Sequence, residues 1–201
     1  MDEMLTENRA ELCGVIAQPA RFSHESRGIR FFLFPLQTLR LSGAADRVNV
    51  VLREDMLPRL PGGAEARVFV EGELRSYNNR SGVGNRLVLT VLARTLGPGD
   101  GPDEDRISLT GAICKEPVLR VTPMGREICD VILAVSRRYR RSDYIPVIAW
   151  GAHAHTVAGL PVGTRLAVRG RLQSRDYTKV IDGVPQPRQA FEVSAADIYP
   201  V

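Results

Sequence analysis

The chain repeats itself, and the repeat limits its fold more than any single motif does. Gly14 and Gly28 lie fourteen residues apart, as do Gly111 and Gly125. Gly28 to Asp46 is eighteen residues, and so is Gly125 to Asp143. Gly72-Glu73-Leu74 then answers Gly170-Arg171-Leu172, with one residue inserted in the second copy. The stretches between these marks share type: GVIAQPARF with GAICKEPVLR, RVNVVL with YIPVIA, ARVFVEGEL with TRLAVRGRL. Matching glycines, spacing and pattern point to an internal duplication. Between the copies, GPGDGPDED has glycine, proline and acids with nothing apolar, the composition of a linker. The expected organisation is an N-terminal domain over 1–96, a linker over 97–105 and a C-terminal domain over 106–201.

Within each copy the apolar period is two. Cys129, Val131, Leu133 and Val135 share one face; Asp130, Ile132, Ala134 and Ser136 share the other, as in a half-buried strand. Tyr144 to Trp150 is rich in β-branched and aromatic residues and reads as the next strand. Ile145, Val147 and Ala149 suit a core, while Tyr144, Pro146, Ile148 and Trp150 take the opposite side. FFLFPLQTL is the most apolar run; it is too short to span a bilayer and reads as a buried strand. Five strands per copy result, at 11–19, 29–39, 45–53, 65–76 and 85–96, then 107–115, 126–137, 143–150, 164–176 and 188–199. A short helical piece, Glu54–Leu60 or Ala152–Gly159, separates the third strand from the fourth. This predicts an all-β protein of two tandem five-stranded OB-fold barrels, each with one short helix between strands 3 and 4. In that fold the strand 2–3 face and its loops bind oligonucleotides.

The chemistry that suits such a ligand sits in the second copy. SRRYRRSD places Arg137, Arg138, Arg140 and Arg141 around Tyr139 in a hairpin loop. Guanidinium groups pair with phosphates and a flat ring stacks on a base. In the fourth strand Arg165, Arg169, Arg171, Arg175 and Tyr177 share the outward parity. A solvated face usually mixes signs; a basic one tracks a phosphate backbone. Residues 1–105 hold 13 arginines and no lysine against 15 acids, whereas 106–201 hold 12 arginines and 2 lysines against 8 acids. A polyanion therefore prefers the second half. Asp176–Arg188 reads as the strand 4–5 loop, a mobile flap or a plain surface hairpin, where Lys179 and Arg188 can clamp a strand. For Tyr144 and Trp150, stacking platform and core packing are equal readings from the residues alone.

About residues 107–199 resemble the bacterial single-stranded DNA-binding protein family. The likeness lies in GAICKEPVLRVTPMGREI, in DVILAVSRRYRRSDYIPVIAWG and in VGTRLAVRGRLQSRDY. The first copy matches only through the second and is a divergent relative. The resemblance implies base stacking by aromatics in the strand 2–3 loop, at both ends of strand three and at the end of strand four. Those positions hold Tyr139, Tyr144, Trp150 and Tyr177. It further implies sequence-tolerant binding of single-stranded DNA in replication, recombination or repair, a homodimer pooling four OB folds, and replication or repair proteins as partners. In the first copy the matching positions hold Ser42, Arg47, Arg53 and Asn79, and Glu71 and Glu73 stand for Arg169 and Arg171. The C-terminal domain is thus expected to dominate binding, with Arg47, Arg53 and Tyr77 as an auxiliary path. The competing readings are a replication-restart or recombination accessory and a tandem-OB scaffold, both binding mainly protein partners.

Cys13, Cys114 and Cys129 are widely spaced and form no Cys-x-x-Cys, which fits a reducing compartment. MDEMLTENRA has no hydrophobic signal core. A cytoplasmic, nucleoid-associated protein without membrane contact is expected. His153 and His155 lack neighbouring carboxylates or cysteines, so no metal is expected there. No G-x-x-x-x-G-K, no G-x-S-x-G and no Cys/His pair with an orienting partner is present, and RSGVGNR reads as a hairpin turn. Neither catalysis nor a cofactor is expected.

Overall fold

The computed structural model describes residues 7–62, 65–79, 86–139, 141–181 and 183–201. The first half contains β1 (Asn8–Ile16), β2 (Arg21–Ser26), β3 (Ile29–Leu39), β4 (Ala45–Arg53), a 3-10 helix (Glu54–Arg59), β5 (Arg67–Asn78) and β6 (Leu87–Pro98). The second contains β7 (Glu104–Ile113), β8 (Val118–Val121), β9 (Glu127–Arg137), β10 (Arg141–Trp150), α1 (Ala152–Ala158), β11 (Arg165–Ile181) and β12 (Val184–Pro200). No helix of the described residues is long and apolar enough to cross a membrane.

Pairing runs in a closed circuit in each half. In the first, β1 pairs with β3 and β5, β3 with β4, β5 with β6, and β4 with β6 in parallel at Val50↔Val91. In the second, β7 pairs with β9 and β11, β9 with β10, β11 with β12, and β10 with β12 in parallel at Val147↔Val193. The alternating residues fill the interior. Cys129, Val131, Leu133 and Val135 are buried with Ile145, Val147 and Ala149, as Leu12, Phe34, Leu36, Val48 and Val50 are in the first half. Burying each such side chain contributes about 1.5–3 kcal/mol. The repeat glycines Gly72 and Gly170 sit at matching β-bulges, where a side chain would strike the carbonyls of Leu92 and Ser194. The fold is all-β with tandem OB-fold-like domains and short helices.

Two expectations are corrected. Each half has six strand segments, because a further short strand, β2 or β8, stands between the first and second expected strands. Pro19 and Pro117 stand just before it and have no N–H to donate. Asp176–Arg188 is not a loop: β11 and β12 pair continuously from Asp176↔Gln189 to Ile181↔Val184. Thr178, Val180, Ile181 and Val184 favour strand, and a two-stranded arm has an unpaired edge that tolerates Pro185 and Pro187.

β1 also pairs antiparallel with β7, from Asn8↔Leu109 to Cys13↔Glu104, which joins both circuits in one twelve-stranded sheet. The acidic, glycine-rich connection is held rather than free. Arg67 donates to the carbonyls of Gly99 (3.2 Å) and Gly101 (2.8 Å) and to Asp103 (2.7 Å), and Asp103 accepts the Leu39 amide at 2.6 Å.

The halves also clasp each other reciprocally. Asp46 of β4 accepts the Ser174 amide of β11 at 2.9 Å and two bonds from Arg40 at 2.5 Å. Asp143 of β10 accepts the Ser76 amide of β5 at 2.8 Å and a bond from Arg75 at 3.1 Å. Both aspartates and both serines are repeat equivalents. Burial alone would push the Asp46 carboxyl up, but the bonds from Arg40 and Ser174 hold it below the usual carboxylate range.

One equivalence is uneven. Asn8 closes two bonds on Leu74, donating to its carbonyl at 2.9 Å and accepting its amide at 2.8 Å. Asp105, its counterpart, makes only the second kind, from the Leu172 amide at 2.9 Å, and its Oδ2 is buried without a partner. Burial pushes the Asp105 carboxyl up to about 7; the Leu172 amide opposes this, Asp46 adds to it, and Arg171 and Arg40 oppose it. The folded state favours the neutral acid, so this contribution is complete below the ordinary value of 3.8 and fades as pH rises through about 7. Asp105→Asn supplies the missing donor. It is expected to raise stability by about 2 kcal/mol at about pH 8, above the titration, and to flatten the decline between about pH 4 and 7. Urea midpoints across that range check it; a variant that keeps the wild-type slope would refute the assignment.

Candidate nucleic-acid interface

The hairpin β9–β10 carries the basic loop because Arg137 and Arg141 pair across it, which leaves Arg138 and Tyr139 in the turn. Tyr139 has φ of 65° and is 85% exposed. Arg138 and Arg141 are exposed and, among the described residues, have no carboxylate partner. Arg140 lies outside the described residues. Arg137 is half-buried; its Nη1 stands 3.6 Å from Asp143 and its Nε has no partner.

On β10, Tyr144 and Trp150 share a parity but not an environment. Tyr144 is 52% exposed, and its amide donates to the Ser76 hydroxyl at 2.7 Å. Trp150 is half-buried, and its indole N–H donates to Ser194 Oγ at 3.0 Å. It lines a small pocket with Val121, Gly125 and Arg126, whereas Tyr139 lines a cleft between the halves. Ile148, between the two β10 rings, is buried.

On β11 the basic face is interrupted. Gln173 is buried and donates to Glu192 at 2.9 Å, beside the point where Asp46 takes the Ser174 amide. Below it, Arg169 and Arg171 line a cleft with Asp105 and Arg106, and Arg171 donates to Gln173 at 3.3 Å. Arg165 opens the strand, half-buried. Above it, Arg175 lies over the Tyr177 ring at 5.8 Å, a cation–π contact, and 3.9 Å from Glu192. Tyr177 is 37% exposed. Arg188, on β12, is half-buried and donates to Gln186 at 2.6 Å. Lys179 belongs to β11, but its side chain is outside the described part.

In the first half, Arg47 is exposed on β4, Arg53 pairs with Asp55 at 3.2 Å, and Tyr77 is 52% exposed at the end of β5. Glu73 is engaged by Arg75 and Arg94. On α1, His155 faces Glu127 at 2.9 Å, and among the described residues no cluster of three metal-ligating side chains occurs.

Sequence reasoning missed the hairpin β2–β3. Within FFLFPLQTL, expected to be buried, Phe31 and Phe32 are half-buried, and Phe22 on β2 beside them is 51% exposed. Arg30 sits 5.4 and 5.5 Å from the Phe22 and Phe32 ring centres, and His24 stacks on Phe31 at 4.9 Å. The signal was RFSHES just before the apolar run: a hydrophilic strand cannot cover both faces of its neighbour.

Tandem OB-fold-like domains with this connectivity place the chain among the OB-fold proteins. Over 98% of its length it superposes on the wild-type single-stranded DNA binding protein from Thermus aquaticus, at a TM-score of 0.78 and 22% identity, covering 93% of that chain. A deletion mutant of that protein gives 0.77 over 95% of its chain. At such identity the likeness is one of fold. Residues 104–201, just under half of the chain, match the single-strand binding protein family. The second half is similar to the single-stranded DNA-binding protein of Clostridium tetani, 35% identical over 80 residues, which are 36% of this chain and 55% of that one. Single-stranded DNA-binding protein A of Bacillus subtilis is 38% identical over 80 residues, 36% of this chain and 46% of that one. The chain spans about half the length of the curated relatives it matches.

Proposed function

We propose that this protein binds single-stranded DNA without sequence preference and without catalysis, serving replication, recombination or repair in the cytoplasm. Each circuit is read as a closed five-stranded barrel, and the chain as domains 1–96 and 106–201 joined by 97–105. The observation that carries the proposal is the exposure of large rings beside guanidinium groups in the family-matching half: Tyr139, Tyr144 and Tyr177, with Arg138, Arg141, Arg169 and Arg175. A fold that needed those rings for its core would bury them. Stacking gives affinity that tolerates any base, and arginines neutralise the backbone. Arg165, Arg171, Lys179 and Arg188 extend the same path, and Trp150 marks its far end. A homodimer pools four such domains, and replication or repair proteins are its further partners.

Trp150 is the only tryptophan. Titration with oligo-dT is expected to quench its fluorescence, with weak binding to duplex and an affinity that falls steeply with salt. Saturation by an independent probe with unaltered fluorescence would remove Trp150 from the path. No binding to oligo-dT at low salt would overturn the function.

A further inference from the structure

We propose that the cleft between the two halves is a nucleotide subsite, which takes a phosphate–base unit of single-stranded DNA and carries the strand onto the β2–β3 hairpin of the N-terminal half. The inference rests on the single-strand-binding function proposed above and assigns the first half a role it was not given by its repeat positions.

The cleft holds about 840 Å³, within the range of about 300–1,000 Å³ typical of small-molecule sites. Both halves build it. Arg27, Ile29 and Phe31 come from the β2–β3 hairpin, and Arg137, Arg138 and Tyr139 from the β9–β10 turn. Among the described residues, Arg75, Arg94 and Arg141 add three more guanidinium groups to the lining, against the single carboxylate of Glu73. That carboxylate is occupied by Arg75 and Arg94. Among the described residues Arg27, Arg138 and Arg141 have no acidic partner, and Arg137 Nε is buried with none. Asp143 balances Arg75 and Arg137, so the uncompensated charge is that of Arg27, Arg138 and Arg141, and it favours an anion.

The backbone supplies a separate reason. Arg27 and Tyr139, from opposite walls, both have positive φ, 52° and 65°. Arg27 and Gly28 form the two-residue turn between Ser26 and Ile29, with both φ values positive. Such turns favour Asn-Gly or Gly-Gly. A bulky residue in the left-handed region is strained, and strain kept at two facing turn tips points to use of the side chains held there. The apolar component is also in place. Phe31 lies parallel to His24, 8° between ring planes, so one wall offers a braced ring and the other an exposed phenol. Two rings and several arginines are what one stacked base and its flanking phosphates require.

Arg27→Gly tests this with little risk to folding, because glycine prefers the φ that Arg27 adopts. The urea midpoint is expected to stay level or rise. With oligo-dT of about 30 nucleotides, long enough to cross both halves, affinity is expected to fall about fivefold and the salt slope to shrink by about 1. With oligo-dT of about eight nucleotides, which the C-terminal half accommodates alone, affinity is expected to hold. Arg27→Gly with Phe31→Ala is expected to weaken the long oligonucleotide about thirtyfold. Equal binding of both lengths by wild type and both variants would overturn the subsite while leaving the function intact. Failure of wild type to bind either length would instead overturn the function. Equal weakening for both lengths would also overturn the subsite, since it would place Arg27 on the C-terminal path.

Discussion

Replacing Asp143 by alanine is expected to destabilise the protein by about 3 kcal/mol, the largest loss we anticipate from one surface-distant residue. The side chain is fully buried at the junction. Its Oδ1 accepts the Ser76 amide at 2.8 Å, its Oδ2 accepts Arg75 at 3.1 Å, and Arg137 stands 3.6 Å away. Alanine would leave a half-buried amide without this acceptor and a mostly buried guanidinium with only Glu73 to face. Losing one partner of a buried charged set costs more than the set contributes, because the remaining charge stays desolvated. Asp143→Asn keeps an acceptor for the Ser76 amide and should cost about half as much. Asp46→Ala, the mirror change, should resemble Asp143→Ala, since it abandons Arg40 and the Ser174 amide. Urea denaturation decides; a loss under about 0.5 kcal/mol for Asp143→Ala would mean that the clasp is not a stabilising contact. The same clasp argues against testing the halves as separate fragments. Each would lose the β1–β7 pairing and expose an aspartate built for the other.

The second large effect concerns binding. Tyr139, Tyr144 and Tyr177, all replaced by alanine, should weaken oligo-dT binding by at least about a hundredfold, with little change in the urea midpoint. Each stacked base is worth about 1–3 kcal/mol, and the three losses add only in part. The rings are 85%, 52% and 37% exposed, so the core does not depend on them. Tyr177, the least exposed of the three and the one under Arg175, should matter most to stability among them. Fluorescence anisotropy of a labelled oligo-dT reads the affinity. A loss under about threefold would remove base stacking as the source of binding and leave the arginines alone.

What the sequence disclosed follows from where its signals are local. Period-two alternation from Cys129 to Val135 gave a correct buried face, because a strand packed on one side must alternate. The glycine spacing gave two equivalent halves, because Gly72 and Gly170 meet carbonyls at equivalent bulges. Asp46 and Asp143 served only as spacing marks. Their role depends on a serine in the opposite half, and nothing local to either aspartate announces it. β2 and β8 carry no periodicity, because every residue in them is exposed. The arm beyond Asp176 was mistaken for a loop because proline and glycine were weighed above the β-branched residues between them. The outward arginines of β11 look continuous by parity alone, but Gln173 among them is buried and bonded to Glu192 of β12.

The unlike equivalents Asn8 and Asp105, or Glu73 and Arg171, have one more effect. Two identical domains related by a two-fold axis would present the same surfaces to either end of a thread. Here that symmetry is broken within a single polypeptide, and a thread crossing from one half to the other meets distinct surfaces in a fixed order. That order gives the bound thread a head and a tail, so the 5′ and 3′ ends of an oligonucleotide need not be interchangeable on this protein.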